Sequence, residues 1–180
     1  DLCMDSKGRI YFTDPRYGPR ESMELGFEGV YRINSVGHVT RIICEGAERP
    51  NGILISPDDQ YLYIADNNNN THGGSRKLLR YELDMNGDVK PGTRKVIFDW
   101  KNGRGPDGMK MDSDGRIYVA AGTNKVTEWE ANQFKAGCYI LSPNGRLIDF
   151  IPTAPDEACN CVLGGADKRT LFITSGNHLW

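Results

Sequence analysis

Short alternating runs of apolar and polar residues dominate the chain, and four of them follow one plan. Asp5–Asp14, Ser56–Asp66, Asp112–Ala121 and Gly165–Thr174 each open with an aspartate- or glycine-containing turn and continue into a run of period two, the signature of a strand. Tyr11, Tyr63, Tyr118 and Phe172 mark the same phase in each, at spacings of 52, 55 and 54 residues. Further strand signals lie between the markers. Gly29–Ile33 and His38–Ile43 flank a Ser35–Gly37 turn, and Lys77–Leu83 precedes Asn86-Gly87, a strong hairpin signal, and then Lys95–Phe98. Gly137–Leu141 leads through Pro143-Asn-Gly145 into Arg146–Ile151. A helical pattern is expected only as a single turn near Thr127–Phe134. Four short antiparallel strands in about 50 residues make a β-propeller blade. A β-sandwich would share the strand spacing but does not predict the long period.

The prediction is therefore an all-β fold, a β-propeller of four-stranded blades. With 180 residues and about 54 per unit, the chain covers about three and a third blades, whereas propellers close with roughly four to eight. An unclosed arc exposes two sheet edges. The chain begins inside a first strand, Leu2-Cys-Met, and stops at Trp180 just after a second one. Residues 1–180 thus read as part of one larger propeller domain.

Composition narrows the partners. Twenty-two basic residues against 24 acidic give a net charge of −2, which argues against nucleic acid or a membrane surface as partner. No apolar run approaches the ~18 residues of a membrane span. Glycine is abundant, 21 of 180 residues, and with 9 prolines implies many turns. Cys3, Cys44, Cys138, Cys159 and Cys161 are odd in number and scattered, so free thiols are expected rather than a disulfide scaffold. His38, His72 and His178 pair with no nucleophile and read as structural. No G-x-S-x-G elbow occurs, and Gly103–Gly108 lacks the Lys-Ser/Thr of a phosphate loop. The compartment stays open between cytoplasm and periplasm or exterior.

Candidate chemistry follows from the phase. The first strand of each blade lines the channel, so residues at one phase of each unit form a ring at its mouth. Asn51 of Pro50-Asn-Gly52 precedes its marker by 12 residues, Asp107 of Pro106-Asp-Gly108 by 11, and Asn160 by 12. In the first unit the position falls at or just before Asp1. A lone Asn-Gly or Asp-Gly is usually a turn. Recurrence in phase, with proline ahead in two units, favours convergence of oxygens on one axial point. No in-phase Lys or Arg presents itself as partner, and a carboxylate held in a channel is costly unless paired or metal-bound. Hard oxygen donors suit Ca²⁺, Mg²⁺ or Mn²⁺. Loops 16–28, 67–76 and 122–136 open on the same face, where Tyr17, Trp129 and the Asn67–Asn70 run could shape a sugar-like pocket; Asn69-Asn-Thr71 is also a glycosylation sequon.

Glu48–Asp58, Gly105–Met109, Tyr11–Pro15 and Asn160–Gly165 together resemble the SMP-30/gluconolactonase/LRE-like family, over essentially the whole chain. The resemblance implies a six-bladed propeller with a divalent metal at the channel mouth, Ca²⁺ foremost, with Mg²⁺, Mn²⁺ or Zn²⁺ as alternatives. It implies hydrolysis of a sugar lactone or similar cyclic ester, with Asn51 and Asp107 as metal ligands and Asp107 also in the acid–base role. The family's glutamate ligand and a substrate-facing Asn match positions before Asp1. Asp1, Asn160, Asn67 and Tyr17 are the candidate substrate contacts. The rival expectations are a metal- or ligand-binding propeller without turnover and a protein-interaction propeller.

Overall fold

Each alternating run becomes a strand in the computed structural model, which describes residues 1–18, 23–43, 46–154 and 157–180. The first sheet holds β1 (Leu2–Met4), β2 (Ile10–Asp14), β3 (Gly29–Ile33) and β4 (Val39–Ile43). The second holds β5 (Pro50–Ile55), β6 (Tyr61–Asn67), β7 (Arg76–Glu82) and β8 (Lys95–Asp99). The third holds β9 (Met109–Met111), β10 (Ile117–Ala121), β11 (Gly137–Leu141) and β12 (Leu147–Pro152). A fourth has three strands, β13 (Ala158–Gly164), β14 (Thr170–Ser175) and β15 (His178–Leu179). Strands pair antiparallel in chain order within every sheet. Across sheets the first strands are successive neighbours, β1 to β5 to β9 to β13. This is the expected β-propeller, with an inner ring of first strands.

The stacking of blades explains why the central strands are apolar on both faces. In β6, Leu62 and Ile64 point into a core shared with Tyr11 and Val30 of the first blade. Their alternates Tyr63 and Ala65 point the other way, into a core shared with Met109, Ile117, Val119 and Tyr139 of the third. A strand sandwiched between two sheets has no solvent face, so its period-two signal fades into a continuous apolar run. A smaller cluster of Ala120, Cys138, Ala158, Cys161 and Ile173 joins the third blade to the fourth.

One local expectation is corrected and another is refined. Residues 127–134 form turns and no helix; none occurs among the described residues. The Thr127 hydroxyl does accept the Glu130 amide at 3.0 Å, as at a helix start. The helix goes no further, because the Ala131 amide donates to the Asn102 carbonyl and Glu130 turns to Arg104. The Asn86-Gly87 turn also does not join β7 to β8 directly. It closes a smaller hairpin between Leu83 and Val89, with Gly87 at φ 80°, and this hairpin lies across the first blade. Cys3, Cys138, Cys159 and Cys161 are free thiols, as expected; Cys44 falls outside the described residues. No helix among those residues is long and apolar enough to cross a membrane.

Candidate active site

The ring residues sit where strands begin, and local irregularity aims them. The β5–β6 register shifts between Pro50 and Ile53, placing Asn51 and Gly52 in a bulge. The β13–β14 register shifts likewise between Ala158 and Asn160. Bulges re-aim side chains at a strand end. In the third blade the ladder β9 begins at Met109, while the Asp107 amide still donates to the Ala120 carbonyl at 2.8 Å.

Gly52 and Gly108 are not turn glycines, for neither has a left-handed φ. They are glycines because the next blade presses on them. A methyl group on Gly52 would collide with the Asp107 carbonyl oxygen, and one on Gly108 with the Asn160 side chain. The Gly108 amide also donates to the Cys159 carbonyl at 2.8 Å. At the other side Thr13 donates through its hydroxyl to the Asn51 carbonyl, and its amide donates to the Asp1 carbonyl at 3.0 Å. Contacts thus run without a break from Asp1 through Thr13, Asn51 and Asp107 to Asn160. Four blades meet in one ring.

Asn51 adjoins both Asp107 and Tyr17, its side chain close enough to favour the charged form of the Asp107 carboxyl and of the Tyr17 hydroxyl. Burial pushes the Asp107 carboxyl up to about 6; Arg104 and Asn51 pull it back, and Glu157 adds to the rise. Burial raises the Tyr17 hydroxyl as well, and the Asp107 charge adds to it. The Asp1 main-chain nitrogen is within electrostatic range of Asp107. No cation stands at the ring phase itself, but two arginines ahead of it reach the site. Arg104 faces Asp107 while donating to Glu130 at 3.0 Å, and Arg49 lies under the Tyr17 ring, 5.7 Å from its centroid. Both precede their aromatic markers by 14 residues, Arg49 before Tyr63 and Arg104 before Tyr118, a common phase that lies two or three residues ahead of the ring positions themselves.

Asn67 is placed behind the ring. It is 3 % exposed and its amide donates to the Pro106 carbonyl at 2.8 Å, fixing the segment that carries Asp107. Asn68 and Asn69 are also buried, bonded to Glu48 and to the Gly105 amide, so the sequon asparagine is enclosed. Tyr17 and Trp129 keep exposed rings, with His72 edge-on to Trp129 at 4.7 Å. No group of three His, Cys, Asp or Glu able to hold a metal occurs among the described residues. What Asn51 and Asp107 offer is a pair of hard oxygens, one of them charged.

A family model described as SMP-30/Gluconolactonase/LRE-like region matches residues 1–177. A gluconolactonase of Zymomonas mobilis is 30 % identical over 189 residues, covering 99 % of this chain and 48 % of its own length. A 6-deoxy-6-sulfogluconolactonase of Pseudomonas putida is 33 % identical over 144 residues, 78 % of this chain and 43 % of its own. The chain therefore spans about half the length of these curated relatives. Among solved structures, a gluconolactonase from Xanthomonas campestris superposes with a TM-score of 0.76 at 28 % identity, covering 100 % of this chain and 55 % of that one. A calcium-binding regucalcin from Agrobacterium tumefaciens gives a TM-score of 0.73 at 22 % identity, covering 99 % and 53 %, which bears on the fold alone.

Proposed function

Because this chain belongs to the SMP-30/gluconolactonase/LRE-like family, we propose that it carries part of the active site of a lactone hydrolase that opens a sugar lactone. The observation behind this reading is the meeting of Asn51, Asp107 and Tyr17 at the mouth of the inner ring. The names of the Zymomonas, Pseudomonas and Xanthomonas relatives favour a sugar-derived cyclic ester.

The donor set fits a hard divalent cation, Ca²⁺ foremost, with Asn51 supplying an amide oxygen and Asp107 a carboxylate oxygen. A buried carboxyl whose bonding partner is an amide suits such an ion better than a soft one. When bound, the cation supplies Lewis-acid polarisation of the ester carbonyl. Beside such a cation the Asp107 carboxylate would orient the attacking water and take up its proton. Ligation weakens a carboxylate as a base, so orientation is the larger share of its role. Asn67 acts through Asp107, by holding the Pro106 carbonyl. Asn160 and the Asp1 main chain border the ring where the substrate rests, with Tyr17 over it.

The test is turnover of D-glucono-1,5-lactone by the full-length protein with and without chelator. Asp107→Ala is expected to lower kcat at least ~100-fold; an unchanged kcat would remove Asp107 from the chemistry. Turnover that survives EDTA would reject the cation. Metal binding with no turnover of any lactone would favour the binding-propeller reading.

A further inference from the structure

Four arginines among the described residues are buried, Arg9, Arg32, Arg49 and Arg76, at 8, 8, 7 and 1 % exposure. Three are held by hydrogen bonds. Arg9 donates to Asp5 and the Met85 carbonyl. Arg32 donates to the Asn86 carbonyl and pairs with Asp88. Arg76 donates to the carbonyls of Asn69, Gly74 and Trp129. Each of these three still leaves one buried nitrogen without a partner, Arg9 Nη2, Arg32 Nε and Arg76 Nε. Arg49 differs in leaving two, Nε and Nη1, with Glu28 Oε1 3.9 Å from Nε. That separation balances the charge but is too long to satisfy the donors.

A buried guanidinium with open N–H groups is costly and calls for an explanation. Its position supplies one. Arg49 lies two residues before Asn51, and its guanidinium sits beneath Tyr17, a residue 44 % exposed whose hydroxyl lies near Asn51. The open donors therefore lie behind the aromatic ring that adjoins Asn51. Because Glu28 already offsets the charge, the acceptor they suit is a neutral oxygen rather than an anion. The planar fork of arginine matches two neighbouring oxygens at once, and an aromatic face beside such donors suits a sugar ring.

We propose that Arg49 is a specificity-determining residue that donates to ring hydroxyls of the substrate once Tyr17 tilts aside, so that the site selects polyhydroxylated lactones over bare ones. This rests on the lactone-hydrolase reading above. A site built to bond a substrate hydroxyl discriminates strongly against the analogue lacking it.

The experiment compares kcat/KM of the full-length protein for D-glucono-1,5-lactone and for δ-valerolactone, which has the same six-membered ring without hydroxyls. The wild type is expected to favour the sugar lactone. Arg49→Met should cut that ratio at least about tenfold, the scale of one bond to a charged donor, and Arg49→Lys should cut it less. A ratio unchanged in folded Met and Lys variants, or equal losses on both lactones, overturns the inference while the hydrolase reading stands. Turnover of neither lactone by the wild type overturns that reading, and this inference with it.

Discussion

The first and third blades carry the same seven-residue plan, Asp5-Ser-Lys-Gly-Arg-Ile-Tyr11 and Asp112-Ser-Asp-Gly-Arg-Ile-Tyr118, and fold it the same way. Asp5 Oδ1 accepts the amides of Lys7 and Arg9 while Oδ2 accepts Arg9 Nε at 2.5 Å and the Tyr11 hydroxyl at 3.1 Å. Asp112 repeats each bond with Asp114, Arg116 and Tyr118, its Oδ2 at 2.6 Å from Arg116 Nε and 3.1 Å from the Tyr118 hydroxyl. Their surroundings differ. The Asp5 and Arg9 side chains are 0 and 9 % exposed, against 10 and 44 % for Asp112 and Arg116. The cover over the first latch comes from the second blade. Arg9 and Lys7 donate to the Met85 carbonyl, and Tyr11 to the Gly87 carbonyl, on the 83–89 hairpin. The local sequence writes the latch, and the neighbouring blade decides what it is worth.

Removing each carboxylate separates the two contributions most sharply. Asp5→Ala leaves Arg9 buried beside the hairpin without its partner and should cost about 3 kcal/mol in urea unfolding. Asp112→Ala leaves Arg116 in water and should shift the midpoint by a small fraction of that. Equal losses would mean that the bonds alone, and not their cover, set the strength. Gly87→Ala attacks the cover itself. An added methyl meets the Tyr11 hydroxyl and Arg9 at a left-handed φ of 80°, so a loss of about 1–2 kcal/mol is expected. In that background Asp5→Ala should cost less than it does alone.

Acid gives the gentlest comparison. Burial alone would push both carboxyls up, but the bonds from Arg9 or Arg116 and the tyrosines outweigh it and hold each below its ordinary value. A depressed carboxyl stabilises the fold above its unfolded pKa of ~3.9 and loses that contribution as pH falls through the folded value. Stability should therefore drop below about pH 4. Asp5→Ala and Asp112→Ala should each flatten the drop, and an acid curve unchanged by either substitution would contradict the bonds that hold that carboxyl down.

The same contrast shows what the sequence reveals. Blades were legible because apolar alternation and the Tyr11, Tyr63, Tyr118 and Phe172 phase are local and repeated. The ring of Asn51, Asp107 and Asn160 was legible because a propeller turns equal phase into spatial convergence. What escaped depends on a neighbouring blade. Why glycine follows Asn51 and Asp107 shows only when the Asp107 carbonyl is seen against Gly52 and the Asn160 side chain against Gly108, and the bulges that aim Asn51 and Asn160 have no residue signature of their own. Arg49 and Arg104 share an offset of 14 from their markers, but that phase lies ahead of the ring residues, and only the folded chain shows Arg49 against Tyr17 and Arg104 facing Asp107. Thr127–Phe134 misled for the opposite reason, since its local start of a helix was overruled by Asn102 and Arg104.

The seams at Gly52 and Gly108 carry a consequence for change over time. Spacing between the ring oxygens is fixed by how tightly adjacent sheets nest, backbone against the Asp107 carbonyl at Gly52 and against the Asn160 side chain at Gly108. Segments 67–76 and 122–136 can lengthen, shorten or exchange residues and alter what is admitted at the mouth, provided the bonds that brace the 104–107 segment survive. A single methyl at either seam would instead move every ring position beyond it, so new selectivity can be acquired at the rim while the hardware beneath stays put.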